Sequence, residues 1–516
     1  MQHQESIFSS QVSVEEMLKG AIVQIEQKDR QLKVYESQIS WLTEQLMSLQ
    51  RSQFGSKSER WESQEQMKMF NEAELESRNP QPAIETEIQV AGHTKKRGHR
   101  QALPGHLPRE IVKIELPIEE QQAETGEALK VIGWEISEKL KYEPAKTSVI
   151  EYHRAKYGVD SGDYIKTAPP VPSVIPQGIA TPELLAAVIV GKYADGLPLY
   201  RMEQMFLRQD IELGRGSMGR WIIQVAKSLQ PIWNVLSDRL RSSIYVACDE
   251  TNVQVLKENG RKAESKSWMW VRSTPGDEQK IVLFDYSTSR GSDVAKELFA
   301  DYKGILQTDG LSSYHCLESK EIIRIGCNMH GRRKFEQAAK DGAQSGKDLA
   351  SIMMNWYRQI YDFEEIWKVQ NLGSEKIKEL RDIHIRPIFI EMKSWSEQHR
   401  EKVPDKSKIG QAIRYFLSEY EYLIGYLKYG YLNPDNGFTE RAIRKFAIGR
   451  NNWMFSDTPE GAEASALMYS LVVTAKVNGV NPYRALVKIL TEIPLAKSID
   501  DYEQLANLIL TPQSNA

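Results

Sequence analysis

Hydrophobic residues recur every seven positions near the start of the chain. Leu18, Ile25, Leu32, Ile39 and Leu46 form one row, and Ala21, Lys28, Tyr35, Leu42 and Leu49 form a second, three residues behind. This a/d seam predicts one long helix over 14–60 that associates with a second copy as a coiled coil. A helix lying on its own protein has the same pattern, but no neighbouring stretch offers it a core. Lys28 on the seam weakens it and sets register.

The pattern then breaks. Residues 61–92 are rich in Glu, Gln, Ser and Asn and predict an acidic linker. The sign flips in 93–110, HTKKRGHRQALPGHLPRE, a Gly- and Pro-containing basic arm with Lys95, Lys96, Arg97 and Arg100. Such an arm tracks phosphates or is simply a solvated charge run; the stretch alone does not decide. From 111 to 178 apolar and polar residues alternate (IVKIEL, LKVIGWEISEKLKY, TSVIEYHRAKYGV), predicting a small β unit closed by a Pro-rich connector.

Residues 179–240 turn helical. Thr181 caps one helix, LYRMEQMFLRQ forms a second, and Ser217 is expected to cap a third after the turn DIELGRG. That is a helix-turn-helix outline, shared by many bundles, with Arg215 and Arg220 at the leading end of the last helix. From 241 to 345 the period returns to two. Three strand candidates (SIYVACDETNVQVL, SWMWVRST, KIVLFDYS), a helix, the strand KGILQTDG, the strand IIRIGCNMH and a helix from Gly331 follow in order. This is the order of a ribonuclease-H-like α/β core. Residues 346–430 read as a helical insertion, 431–490 as the second part of the core, and 491–516 as a C-terminal tail.

Composition narrows the function classes. The 516 residues are 41% hydrophobic and 27% charged, with a formal net charge of -3, so any polyanion site is a local patch. Three cysteines are too few and too scattered for a disulfide framework, which fits a reducing cytosol. No apolar run approaches the roughly 20 residues of a membrane helix, and the N-terminus lacks a signal-peptide layout. A soluble intracellular protein is expected.

The candidate chemistry lies in three carboxylates. Asp249 ends the apolar strand IYVACD, Asp309 ends GILQTD, and Glu440 opens a helical stretch that also holds Arg441, Arg444, Lys445 and Arg450. Ligands gather at the carboxyl ends of strands in open α/β sheets. A turn cap explains either aspartate alone. Both together, followed by a helix-borne glutamate, favour a shared site for hard divalent ions. Two such ions about 3.5–4 Å apart serve in-line displacement at phosphorus. No Cys or His cluster with zinc spacing competes. His330, Arg332, Arg333 and Lys334 in HGRRKF add cations directly after a strand. On its helix Glu440 lies off the apolar stripe of Phe438, Ala442 and Phe446, so a solvated salt-bridge helix stays open beside the metal reading.

The segments QFGSKSER, LPGHLPRE, GKYADGLPLYR, ACDETNVQVL, LQTDGLSSY, HGRRKF, DNGFTERAIRKFAIGRNNWMF and YSLVVTAKVNGVNPYRAL, in this order, resemble the transposases of the insertion sequence 66 family, of DDE type. The resemblance implies a ribonuclease-H-like core with catalytic, metal-binding Asp249, Asp309 and Glu440, served by two Mg2+ (or Mn2+) ions; Asp249 is expected to bridge both, with Asp309 and Glu440 each completing one side. It implies double-stranded DNA, as element ends and target, for the substrate. Water cuts at each element end and the freed 3′ hydroxyl attacks the target. Dimerisation or higher assembly through 14–60, small accessory proteins of the same element and a cytoplasmic, nucleoid-associated location go with it. DNA contacts are expected from Lys95, Lys96, Arg97, Arg100, Arg215, Arg220, His330, Arg332, Arg333, Lys334, Arg441, Arg444, Lys445 and Arg450. Relatives commonly carry two CxxC pairs near the 111–170 strands; Gln122, Thr125, Val159 and Gly162 stand there instead, so zinc is not expected in that unit. A nuclease that never joins strands and an inactive, transposase-derived DNA-binding regulator are the alternatives.

Overall fold

The structure is a computed structural model that describes residues 147–158, 165–342 and 349–512, with Lys28, Arg109 and Ile111 besides. The coiled-coil prediction (apart from Lys28, which is helical), Lys95, Lys96, Arg97 and Arg100, the strands predicted over 111–146, and all four positions lacking cysteine lie outside the described residues. The chain divides into two compact units, with a boundary along the sequence between 169 and 170.

In the first unit, β1 (Lys156–Gly158) pairs antiparallel with β2 (Ile165–Thr167), Lys156 opposite Thr167. The strand predicted over TSVIEYHRAKYGV is thus confined, among the described residues, to its last three. Val149, Ile150 and Tyr152 are exposed, so the alternation there has no buried face to hold it in a sheet.

The second unit opens with three helices, α1 (Pro182–Tyr193), α2 (Leu199–Leu207) and α3 (Arg215–Arg241). Thr181 caps α1 as expected, its hydroxyl accepting the Leu184 N–H at 3.4 Å. Ser217 does not cap α3. The helix starts two residues earlier with Gly214 at the N-cap, and Ser217 instead accepts from the Arg220 guanidinium at 3.1 Å. An unbroken stripe of Met218, Trp221, Ile222, Val225, Leu229, Ile232, Leu236 and Leu240 buries α3 in the same core as the sheet. The helix-turn-helix region is therefore built into the unit that carries the sheet.

The sheet has five strands in the order β5-β4-β3-β6-β7. β3 (Tyr245–Gln254), β4 (Lys266–Ser273) and β5 (Val282–Ser287) form an antiparallel meander, while β6 (Gly304–Thr308) and β7 (Ile322–Gly326) run parallel to β3. Helix α4 (Ser292–Leu298) precedes β6, and α5 (Asn328–Gly342) leaves β7, three residues ahead of the predicted Gly331. Strands covered on both faces need apolar side chains at successive positions, which is why YVAC and VLF read as continuous runs.

Among the described residues four α-helices fill the expected insertion: α6 (Leu349–Val369), α7 (Ser374–Leu380), α8 (Arg386–Arg400) and α9 (Lys408–Leu423). They build a second core around Tyr357, Phe389 and Phe416, which also takes in Ile325 and Phe335 from the sheet side. The chain then returns in α10 (Gly437–Trp453), packs α11 (Pro459–Val477) over β5, and ends in α12 (Pro482–Glu492) and α13 (Ile499–Leu510). The segment read as a tail is mostly helix. Ser498 and Asp501 form a capping box, and Leu505, Ala506, Ile509 and Leu510 are buried. Among the described residues no helix is long and apolar enough to cross a membrane.

Candidate functional site

Asp249 does not end its strand. β3 runs five residues further, because Glu250–Gln254 stay paired with β4 after β6 has left. The last parallel pair is Ala247 with Gln307. Asp249 and Asp309 each lie two residues beyond that pair, and they are near enough for the charge of Asp309 to act on the Asp249 carboxyl. Asp249 thus occupies the point where the parallel half of the sheet opens.

Asp309 is held in the turn after β6. Its Oδ1 accepts the Leu311 N–H at 3.0 Å, and its carbonyl accepts from Arg324 at 3.1 Å. Arg324 is itself fixed by Glu318 at 3.1 Å, by Glu419 of α9 at 2.9 Å, and by stacking on Tyr422 at 3.6 Å. Tyr415, also on α9, accepts the Gly310 N–H at 3.2 Å. The insertion therefore braces the turn that carries Asp309.

Glu440 arrives on the first turn of α10. Three contacts seat that helix on the sheet: Asn436 Nδ2 donates to the Cys248 carbonyl at 3.0 Å, Thr439 shares a hydroxyl bond with Ser273 at 2.7 Å, and Arg450 donates to Thr251 at 3.3 Å and to Asn252. Asn436 is the N-cap residue of α10 and is buried. Arg450, expected to bind DNA, is half-buried and engaged with β3, so it acts as a strut. Arg441, Arg444 and Lys445 are exposed along α10.

The partner of Glu440 comes from elsewhere. Arg333 of α5 donates to Glu440 Oε2 at 2.6 Å, and His330 Nδ1 lies 3.6 Å from Oε1, beyond hydrogen-bond reach. Arg332 stacks on Tyr361 at 5.8 Å and Lys334 on Tyr415 at 4.6 Å. Burial pulls the His330 imidazole below its usual pKa, against the opposite pull of Glu440 and Asp309. The predicted Arg215 and Arg220 belong to the start of α3, where they meet Tyr200, Glu203 and Ser217.

The cluster is electrostatically strained. Burial pushes the Asp249 carboxyl well above the usual range, and the charges of Glu250, Asp309 and Glu440 push it further; the Glu250 N–H at 2.9 Å pulls the other way. Glu250 was missed in the sequence reading. Its side chain is 5% exposed, accepts from Tyr314 at 2.7 Å, faces Arg290 at 3.8 Å, and its carboxyl is pushed up to about 7 by burial and by Asp309. A second acid directly after Asp249, inside a strand, was the available signal. Arg324 and Cys327 were missed as well. Cys327 and His330 are three apart at a helix start.

Fold and site together define a mixed α/β protein with an acidic cluster where a central sheet opens. Residues 177–464 match the family described as Transposase IS66 family, 470–506 match the IS66 C-terminal element, and 41–112 match Transposase C of IS166 homeodomain. The chain belongs to the IS66 transposase family. The homeodomain match spans what the sequence reading divided between heptad helix, linker and basic arm. Among its relatives is the uncharacterized protein y4qI of Sinorhizobium fredii, 32% identical over 490 residues, covering 90% of this chain and 88% of that one. A second, the uncharacterized y4jD of the same organism, is 30% identical over 405 residues, 76% of this chain and 78% of the relative. Membership of a transposase family makes DNA the partner.

Proposed function

We propose that the chain is a DDE-type DNA transposase with a ribonuclease-H-like core, which cuts one strand at each element end and joins the freed 3′ hydroxyl to a target phosphodiester. The carrying observation is geometric: Asp249 and Asp309 each follow the last parallel pair of neighbouring strands by two residues, and Asn436, which opens the helix of Glu440, bonds to the carbonyl of Cys248 beside Asp249. The strand order, with an antiparallel meander beside two parallel strands, supports the fold assignment.

The donor set fits a hard divalent cation. The charges of Glu250, Asp309 and Glu440 all act on the buried Asp249 carboxyl, and Glu440 Oε1 is buried with no hydrogen-bond partner. Asp249, Asp309 and Glu440 would hold Mg2+ or Mn2+, two ions in this reading. When bound, the ions supply Lewis-acid charge for displacement at phosphorus.

The remaining residues position and screen. Exposed Arg441, Arg444 and Lys445 on α10, with Lys334 on α5, hold backbone phosphates beside the carboxylates. Arg333 neutralises Glu440 while no cation is present. Arg215 and Arg220 with the basic arm find the element ends, and residues 14–60 bring two protomers together, with or without small accessory proteins. The setting is the bacterial cytoplasm, at the nucleoid.

Purified protein with Mg2+, element-end DNA and a target plasmid tests this. Cut ends and joined product are expected, and both vanish in Asp249→Asn. Joining that survives in Asp249→Asn refutes the assignment. Cutting without joining makes the protein a nuclease of the same fold.

A further inference from the structure

We propose that Cys327, His330 and Glu440 form a site for a thiophilic divalent cation of the zinc class, which draws Glu440 out of the acidic cluster. One donor atom from each residue lies within 4.8 Å of the others. They come from the end of β7, the first turn of α5 and the first turn of α10, so only the tertiary fold assembles them.

Each donor has a specific fit. Burial holds the Cys327 thiol well above its usual pKa, so it stays protonated until a cation is present; the Asn436 N–H at 3.2 Å and the His330 N–H pull the other way and aim at the Sγ. His330 Nδ1 and Glu440 Oε1 face each other at 3.6 Å, each buried and without a hydrogen bond. Two ligand bonds of about 2.0–2.1 Å meeting near the tetrahedral angle set their donors roughly 3.4 Å apart. Helix capping alone accounts for Cys327, but not for these two orphaned atoms. Arg333 occupies only Oε2, so Oε1 is the atom left to the ion.

The neighbourhood has a surplus of lone pairs. Asn328 Nδ2 is committed to the Leu423 and Pro434 carbonyls, and Asn436 Nδ2 to that of Cys248, while the Oδ1 atoms of both asparagines are buried without a donor. Unpaired buried acceptors beside a thiol are relieved by a cation. Sulfur and imidazole select Zn2+ or Co2+ over Mg2+. Binding releases the thiol proton to solvent, and sulfur, nitrogen and oxygen complete three positions, leaving water the fourth. Glu440 cannot serve both ions, so bound zinc inhibits in proportion to its occupancy, and Mg2+ competes with it only at large excess because sulfur and imidazole favour zinc.

The test is spectroscopic and independent of strand cleavage. Metal-free full-length protein titrated with one equivalent of Co2+ is expected to show a near-ultraviolet thiolate-to-cobalt charge-transfer band, bleached by one equivalent of Zn2+. The band is lost in Cys327→Ser and kept in Cys316→Ser. It is also kept in Asp309→Asn, which abolishes cleavage, so failure of the transposase reading and failure of this site are told apart. No band in the wild-type protein, or a band that persists in Cys327→Ser, overturns the proposal. X-ray absorption of the one-equivalent zinc protein covers the case of a variant that misfolds: one sulfur at about 2.3 Å is expected, and a shell of oxygen and nitrogen alone refutes the site.

Discussion

Arg333 on α5 donates to Glu440 on α10 at 2.6 Å, joining positions 107 residues apart. The carboxylate is 13% exposed and the guanidinium 44%, so the pair is only partly desolvated. In the metal-free protein Arg333 is the cation that offsets Glu440. Arg333→Gln should therefore lower stability by about 1–2 kcal/mol in EDTA, between the values for exposed and buried pairs, and by clearly less in saturating Mg2+. Thermal melts in both conditions check this. Equal losses would mean that no cation reaches Glu440.

The brace between α9 and the Asp309 turn gives a second prediction. The Arg324 side chain has no exposed surface and bonds to Glu419, which is 5% exposed. Removing one charge from a buried pair leaves the other uncompensated. Glu419→Gln should cost about 2–4 kcal/mol, somewhat below the usual range because Glu318 still contacts Arg324. A fall in the thermal midpoint is the readout, together with a loss of cleavage at temperatures where the variant is folded.

Gly310 separates the two effects. A Cβ there would lie 2.6 Å from Tyr415 Cε2 and 3.0 Å from Glu419 Cδ. One of the groups must move, and the turn holding Asp309 is the least supported by secondary structure. Gly310→Ala should reduce cleavage about tenfold or more, because small displacements of a catalytic group are costly. Circular dichroism should remain that of the parent, and full activity in the variant would show that the turn absorbs the shift.

Lys192 supplies a pH dependence away from the acidic cluster. Its ammonium lies over Tyr193 at 5.5 Å and Trp453 at 5.2 Å, and burial lowers its pKa to about 8. Below about 8 folded and unfolded chains both hold the proton, and the folded state bears the cost of the buried charge. Between about 8 and 10.5 the unfolded chain binds more protons, so this group makes stability rise with pH. Lys192→Met should be more stable than the parent at pH 7, by on the order of 2 kcal/mol, and the gap should close towards pH 10.5. A gap that stays constant with pH in paired denaturation curves would sink this account.

Much of the second unit was legible from local pattern. Residues that bury one face of a helix or both faces of a strand repeat at that element's period, so α1, the five strands and the insertion helices stand out. Asp249 and Asp309 were legible because a charge that interrupts an apolar run needs a reason. That Asp249 sits inside β3 rather than at its end was not, although the strand candidate ran on through Glu250–Gln254, since those polar residues are held by pairing with β4 rather than by their own composition. Ser217 misled because its type suits a cap, whereas the turn before α3 is closed by Glu203, which accepts the Arg215 N–H at 3.0 Å.

By itself the sequence determined the elements, the insertion, the family and which acids stand out. Tertiary structure alone decided that Arg333, from a distant helix, meets Glu440, that Arg450 bonds to β3, and that Cys327 and His330 share a corner with Glu440. The reason is physical: periodicity records what each residue's near neighbours in the chain bury, while charge pairing and ligand geometry depend on strand register and helix docking between segments the chain keeps far apart.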